Sequence, residues 1–205
     1  MNASLRNARR LYEDASLLYE NERYPSSLGL SCLSIEEAGK TTVLRGLICI
    51  SDPAEIKKVW REFRSHEAKA AHWIVPNIIL RGGQHLPDFL DMLDKTSDHR
   101  EQLSALKEIS FYVDCYGKGN WSKPENVTDA SLTKKFLVFA ETLSRSENEI
   151  TTREIELWYE YMAENQGSFE QFLRWHWAMV EEGLTDISLE EAVRFVGGER
   201  ILPRE

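Results

Sequence analysis

The sequence lacks a long hydrophobic run, a secretory leader and a cysteine framework. No apolar stretch approaches the length that a transmembrane helix needs. The N-terminal segment MNASLRNARRLYEDA is polar and helical in pattern, without the apolar segment of a signal peptide. Three cysteines cannot all pair, and Cys32 and Cys49 lie in apolar helical stretches, which predicts buried free thiols. Together these absences predict a cytoplasmic protein without a membrane partner.

Basic charge is also scarce, since the formal net charge is −9. Residues 141–205 carry 15 acids against 6 bases, whereas residues 1–140 carry 19 of each and are neutral. Loose electrostatic binding to nucleic acid needs a basic face, so DNA is not an expected partner. A small local site for RNA remains compatible with this charge distribution.

Strand patterns are nearly missing, because most segments follow the helical period and none sustains alternation of β-branched residues. The sequence therefore predicts an all-α fold, with a helical bundle over residues 1–144 and an acidic helical extension over 145–205 packed on or near it. The predicted helices span 4–22, about 26–50, 53–80, 87–94, 98–114, 129–144, 152–165, 169–182 and 189–196. Residues 116–124, YGKGNWSKP, are expected to form a loop or small hairpin.

The stretch SCLSIEEAGKTTVL, residues 31–44, places three ionisable residues within a helix that is apolar nearly all round: Glu36, Glu37 and Lys40. Such a helix is normally enclosed by others, and charges inside it are costly unless they are paired. The two acids precede the lysine by four and three residues, so each carboxylate can reach it. Pairing explains how these charges are tolerated but not why they are present.

A second polar stretch, VWREFRSHEAKAAHW at residues 59–73, places His66 on an apolar helical face with Lys69 beside it. Helices joined by a tight turn are normally antiparallel neighbours, so the middles of the second and third helices should meet. A satisfied core histidine and a structural Glu–Lys pair are the simpler alternatives, but converging titratable groups favour a functional site. We predict one buried polar cluster drawn from both helices: Glu36, Glu37, Lys40, His66 and Lys69.

Several other chemistries are excluded by the sequence. HEAKAAH, residues 66–72, misses the zinc-protease pattern HExxH because Ala70 stands where the second histidine is required. The paired Glu-x-x-His motifs of di-iron bundles are missing, as are the phosphate-binding, dinucleotide-binding and nucleophilic-serine motifs. We therefore predict neither a metal nor a cofactor.

The segments LSIEEAGK (33–40) and FRSHEAK (63–69), together with KEISFYVDCYGKGNWSKP (107–124), resemble the AbiV type of abortive-infection proteins in the HEPN superfamily. The resemblance covers roughly residues 5–124. It implies a helical bundle that forms a homodimer across its motif helices and cleaves RNA without metal through an Arg-x(4–6)-His motif. Arg61-x4-His66 has this spacing, but Glu62 stands where a different polar residue commonly follows the arginine. Arg64 is therefore an alternative to Arg61.

The residue types fit such a reaction, because RNA supplies its own nucleophile, the 2′-OH. His66 would take the 2′ proton or protonate the leaving 5′ oxygen. Arg61 or Arg64 would hold the non-bridging phosphate oxygens, with Lys69 in support. The groups that orient the histidine would come from the second helix: Glu36, Glu37 and Lys40. The expected products are a 2′,3′-cyclic phosphate and a 5′-OH.

Two functions stay open from the sequence. The first is a cytoplasmic endoribonuclease of antiphage defence that is held inactive until infection, with a phage-encoded protein as the candidate trigger. The second is a non-catalytic helical dimer that binds a protein partner, in which the polar cluster only fixes the register of the helices. The arginine–histidine spacing and the resemblance favour the nuclease, whereas the negative charge favours the interaction protein.

Overall fold

The computed structural model describes residues 1–64, 99–115, 119–144, 149–163, 169–185, 188 and 190, and these form eight helices and one two-stranded sheet. The predicted all-α class is confirmed. Predicted helices over 65–80, 87–94 and most of 189–196 lie outside the described residues. The elements are α1 (Asn2–Glu20), α2 (Tyr24–Ile48), α3 (Pro53–Arg64), α4 (His99–Phe111), β1 (Asp114–Cys115), β2 (Trp121–Ser122), α5 (Pro124–Val127), α6 (Ala130–Ser144), α7 (Thr152–Met162) and α8 (Phe169–Glu181).

Helix α2 is the centre of the bundle, and α1, α4 and α6 all pack against it. Two buried serines join it to α1, since Ser27 Oγ donates to Ala15 O at 2.8 Å and Ser34 Oγ to Ala8 O at 2.7 Å. The pairing runs in opposite directions along the two helices, so α1 and α2 are antiparallel. Small residues at this seam let the two backbones approach closely, and the hydroxyls satisfy their own hydrogen bonds there.

The hydrophobic core lies between α2, α4 and α6. On α2, Leu28, Cys32 and Ile35 recur at helical spacing and are fully buried. Leu103 of α4 and the α6 residues Phe136, Phe139 and Ala140 complete the cluster. Cys32 and Cys49 are buried free thiols, as predicted, whereas Cys115 is exposed.

Helix α3 begins at Pro53, which suits a first helical turn, after Asp52 accepts hydrogen bonds from the amides of Ala54 and Glu55. The helix contacts α2, and its half-buried face carries Ile56, Val59 and Phe63. Arg64 is the last residue of the chain described before residue 99. The candidate arginines therefore lie at the end of α3.

The predicted loop or hairpin is a hairpin, in which Asp114 pairs with Ser122 and Cys115 with Trp121 in antiparallel register. Helix α4 ends at Phe111, a few residues before the predicted end at 114. The difference arises because Asp114 and Cys115 pair with β2, which requires an extended backbone that a helix cannot supply.

Helices α7 and α8 pack on each other through Leu157, Trp175, Ala178 and Met179. Contacts with the bundle hold this pair at two places. Asn2 exchanges two hydrogen bonds of 2.9 Å with the backbone of Ile150, and Arg45 of α2 forms an ion pair with Glu154 of α7. No helix among the described residues is both long and apolar enough to cross a membrane.

Candidate functional site

Glu36 lies midway along α2 and is only 3% exposed. Its Oε1 accepts a hydrogen bond from Lys107 Nζ of α4 at 2.7 Å, and the lysine side chain is itself only 14% exposed. A carboxylate at this depth is tolerated because the ammonium supplies a charged donor at close range. The two residues are 71 positions apart, so helix packing brings them together.

Whereas Glu36 pairs with Lys107, Lys40 pairs with Glu37, which is one of the two pairings that the spacing allowed. Both side chains are about one-fifth exposed, at 21% and 20%, so this pair reaches solvent while Glu36 does not. Adjacent positions on a helix point about 100° apart, which separates the two glutamates onto different faces. The three predicted α2 residues are therefore divided between a buried pair with α4 and a solvent-accessible pair within α2.

The buried pair also affects the thiol one turn earlier on α2. Burial raises the pKa of Cys32, and the negative charge of Glu36 raises it further, while Lys107 opposes the rise. The thiol therefore stays protonated at neutral pH, which leaves it a packing residue rather than a nucleophile.

The motif on α3 is described only in part. Arg61 is exposed on α3, and Arg64 ends the described helix. His66 and Lys69 lie outside the described residues, so the predicted convergence of α2 and α3 side chains stays a prediction. Among the described residues, no three His, Cys, Asp or Glu side chains are grouped so that they could hold a metal ion.

A comparison with known protein families identifies the family of this chain. The HEPN family model described as AbiV matches residues 1–145, which is more than half of the chain. The chain belongs to the AbiV family. This places it among the abortive-infection proteins of the HEPN superfamily. No curated protein and no solved structure matches the chain.

The AbiV match covers α1 to α6, including the Glu36–Lys107 and Glu37–Lys40 pairs and the Arg61-x4-His66 sequence. Residues 146–205, which hold α7 and α8 and most of the excess acidic charge, lie outside it. The AbiV assignment therefore applies to the bundle and says nothing of the acidic segment.

Lys107 is the residue of this site that sequence reasoning missed. It begins the stretch KEISFYVDCYGKGNWSKP, and it follows the fully buried Leu103 by one helical turn while preceding the buried Ser110 by three residues. A lysine on the buried face of a helix indicates a buried acidic partner, and this signal was present in the sequence. The pattern did not indicate which of the many acids in the chain that partner is.

Proposed function

We propose that the chain is a metal-independent endoribonuclease of antiphage abortive infection that shuts down translation or growth when the cell is infected. The observation that carries the proposal is the Arg61-x4-His66 motif at the end of α3 in a chain of the AbiV family. The exposure of Arg61 supports it, because a residue that binds the phosphate of a large substrate must be reachable from solvent. The proposed setting is the cytoplasm, with a phage-encoded protein as trigger.

In the proposed reaction the 2′-OH of RNA attacks the adjacent phosphorus, and the 5′ oxygen leaves. His66 accepts the 2′ proton or donates a proton to the leaving oxygen. Arg61 or Arg64 neutralises the charge that builds on the non-bridging oxygens, with Lys69 in support. The groups proposed to orient them come from α2: Glu36, Glu37 and Lys40. The products are a 2′,3′-cyclic phosphate and a 5′-OH, and no metal is needed because the substrate contains the nucleophile.

The test compares induced wild type with His66→Ala in growth and RNA-integrity assays, with phage present and absent. The variant should lose both growth arrest and RNA cleavage while it remains folded. His99→Ala, at the first residue of α4, is the matched control and should behave as wild type. Equal arrest and equal cleavage by wild type and His66→Ala would refute the nuclease.

The working arginine is identified by a second comparison, between Arg61→Ala and Arg64→Ala. Loss of a group that binds the transition-state charge should lower the cleavage rate by about a hundredfold or more. The other arginine should matter far less. Full cleavage by both variants would contradict the assignment of either residue to the reaction.

The second candidate function, a non-catalytic dimer that binds a protein partner, is favoured by an exposed apolar surface around the hairpin. Tyr112, Val113 and Trp121 are all more than half exposed, as interaction surfaces often are. In that case His66→Ala would keep growth arrest and Trp121→Ala would lose it, so the same assay separates the two functions.

A further inference from the structure

We propose that the exposed face of α3 formed by Lys57, Trp60 and Arg61 binds single-stranded RNA, with an unpaired base stacked on Trp60 and the phosphates on the two cations. The inference rests on the proposed nuclease function and names the form of RNA that reaches the motif.

The three residues share one face of the helix. Lys57, Trp60, Arg61 and the last described residue, Arg64, stand at i, i+3, i+4 and i+7 of α3. The half-buried side carries Ile56, Val59 and Phe63. Trp60 therefore lies at its border, and Lys57 and Arg61 lie farther round the helix toward solvent. The α3 sequence PAEIKKVWREFR has four basic residues and two acidic ones, so it is a local basic segment in a chain with a net charge of −9.

The cations of this face differ from most of the exposed arginines that the structure describes. Five exposed arginines elsewhere pair with a carboxylate: Arg6, Arg9, Arg10, Arg153 and Arg174. Lys57 and Arg61 are exposed but form no ion pair within the part of the chain that the structure describes. Their charge is free to bind an anion from solution, and a nucleic-acid phosphate backbone is such an anion.

Trp60 adds an aromatic surface to these cations. It is 44% exposed, and its ring meets Phe63 edge to face, with the ring centroids 5.2 Å apart and the planes at 84°. The ring contacts Phe63 while much of its surface stays in water. An exposed aromatic ring with cations on the same helix is an arrangement on which single-stranded nucleic acids stack their bases.

Single-stranded RNA fits this face better than a duplex does. The bases of a duplex are already stacked on each other, so only an unpaired base can lie on Trp60. Arg61 belongs both to this face and to the Arg61-x4-His66 motif, so a strand held here contacts one residue of the motif. The face therefore selects loops and unpaired segments as the cleavable RNA.

The test measures binding of a labelled oligouridine of about 12 nucleotides, a length within the range that single-strand sites cover. The full-length His66→Ala protein is used so that the RNA stays intact. Adding Trp60→Ala should weaken binding about tenfold, whereas Trp60→Phe should retain most of the affinity. Trp177→Ala is the matched control, because Trp177 is 52% exposed on α8, away from this face.

Lys57→Ala and Arg61→Ala should each make the salt dependence of binding shallower by about one phosphate contact. The matched control is Lys135→Ala, which removes an exposed lysine of α6 and should leave the slope unchanged. A blunt-ended RNA duplex of equal length should bind without any dependence on Trp60.

Unchanged affinity in Trp60→Ala, or an equal loss for duplex and single strand, would overturn the stacking proposal. The proposal would also be overturned if Trp60 were needed for binding of a protein partner but not for binding of RNA. The two proposals fail differently. If cleavage depends on His66 but RNA binding does not depend on Trp60, only the proposed binding face is refuted. If binding depends on Trp60 but the wild-type protein cleaves no RNA, only the proposed nuclease activity is refuted.

Discussion

At the scale of single residues, the Glu36–Lys107 pair is the clearest energetic constraint on the site. Removal of one partner of a buried pair leaves the other charge in a low-dielectric interior, which is more harmful than the loss of an exposed pair. Glu36 is almost fully buried, whereas the neighbouring Glu37–Lys40 pair reaches solvent. The two pairs therefore provide a comparison within one helix.

Lys107→Ala should lower the free energy of unfolding by about 3 kcal/mol, because the buried Glu36 carboxylate loses the charged donor that lies 2.7 Å from it. Lys40→Ala should lower it by no more than about 1 kcal/mol, since the Glu37–Lys40 pair is partly exposed and water screens it. Urea denaturation at neutral pH measures both. Equal losses in the two variants would mean that burial does not determine how much an ion pair contributes to the free energy of unfolding.

Gly29 and Gly46 also form a matched pair of positions on α2. The ring of Phe111 lies directly against Gly29 and leaves no room for a methyl group, whereas nothing lies within 4 Å of a Cβ built at Gly46. Alanine at Gly29 must displace the ring from the helix and reopen its apolar contact.

We expect Gly29→Ala to lower the free energy of unfolding by about 1 kcal/mol or more, the usual range for overpacking. Gly46→Ala should raise it by up to about 1 kcal/mol, because alanine is the better helix former. Chemical denaturation gives the sign in each case. If both substitutions stabilised the protein, the contact of the Phe111 ring with α2 would not contribute to its stability.

At the scale of elements, the junction between α2 and α7 connects the AbiV bundle to the acidic segment. Arg45 stands in the last turn of α2, pairs with Glu154, and lies over the rings of Trp158 and Trp175 at 5.5 and 6.0 Å. The indole N–H of Trp158 also donates to the carbonyl oxygen of Arg45 at 3.1 Å. Several contacts of α7 with α2 therefore depend on one residue.

Arg45→Ala should loosen α7 and α8 from the bundle without unfolding it. Amide hydrogen exchange should rise in residues 152–181 and stay unchanged in α1 and α6, because regions of few contacts open independently of the core. Arg153→Ala, which removes an exposed pair with Glu182, should show no such change. Faster exchange throughout α1 and α2 would contradict the idea of a separable junction.

At the scale of the whole molecule, we propose that two copies build the site together. Arg61 and His66 are five positions apart in the sequence, so a straight helix continued from Arg61 to His66 would place them about 140° apart on different faces. A homodimer with its motif helices side by side would bring the arginine of one copy to the histidine of the other. This arrangement makes a specific prediction about mixed dimers.

Two proteins, one with His66→Ala and one with alanine at the working arginine (Arg61 or Arg64), should each be inactive alone. Mixed in equal amounts with free subunit exchange, they should regain about a quarter of the wild-type cleavage, because half of the dimers are mixed and one of the two sites in each holds both working residues. Cleavage of a labelled RNA by the mixture measures the recovered activity. The His66→Ala protein alone, at the same total concentration, is the control. An inactive mixture whose subunits have exchanged would mean that each copy contains its own complete site.

Much of the fold could be predicted from the sequence, and the features that could not be predicted share one physical reason. Apolar periodicity predicted every described helix apart from α5, including the α2 stretch that encloses Glu36, because that information repeats within a few residues. The early end of α4 at Phe111 was missed, since it depends on the pairing of Cys115 with Trp121. Contacts between distant segments leave little trace in local periodicity.

By itself the sequence determined the described helices apart from α5, the free thiols and the motif that indicates the AbiV family. All of these depend on residues within one or two helical turns, or on residue types alone. Only the tertiary structure decided that Glu36 pairs with Lys107, that Phe111 covers Gly29 and that Arg45 holds α7. Each of these contacts joins helices far apart in the chain, and the partner is chosen by how the helices pack.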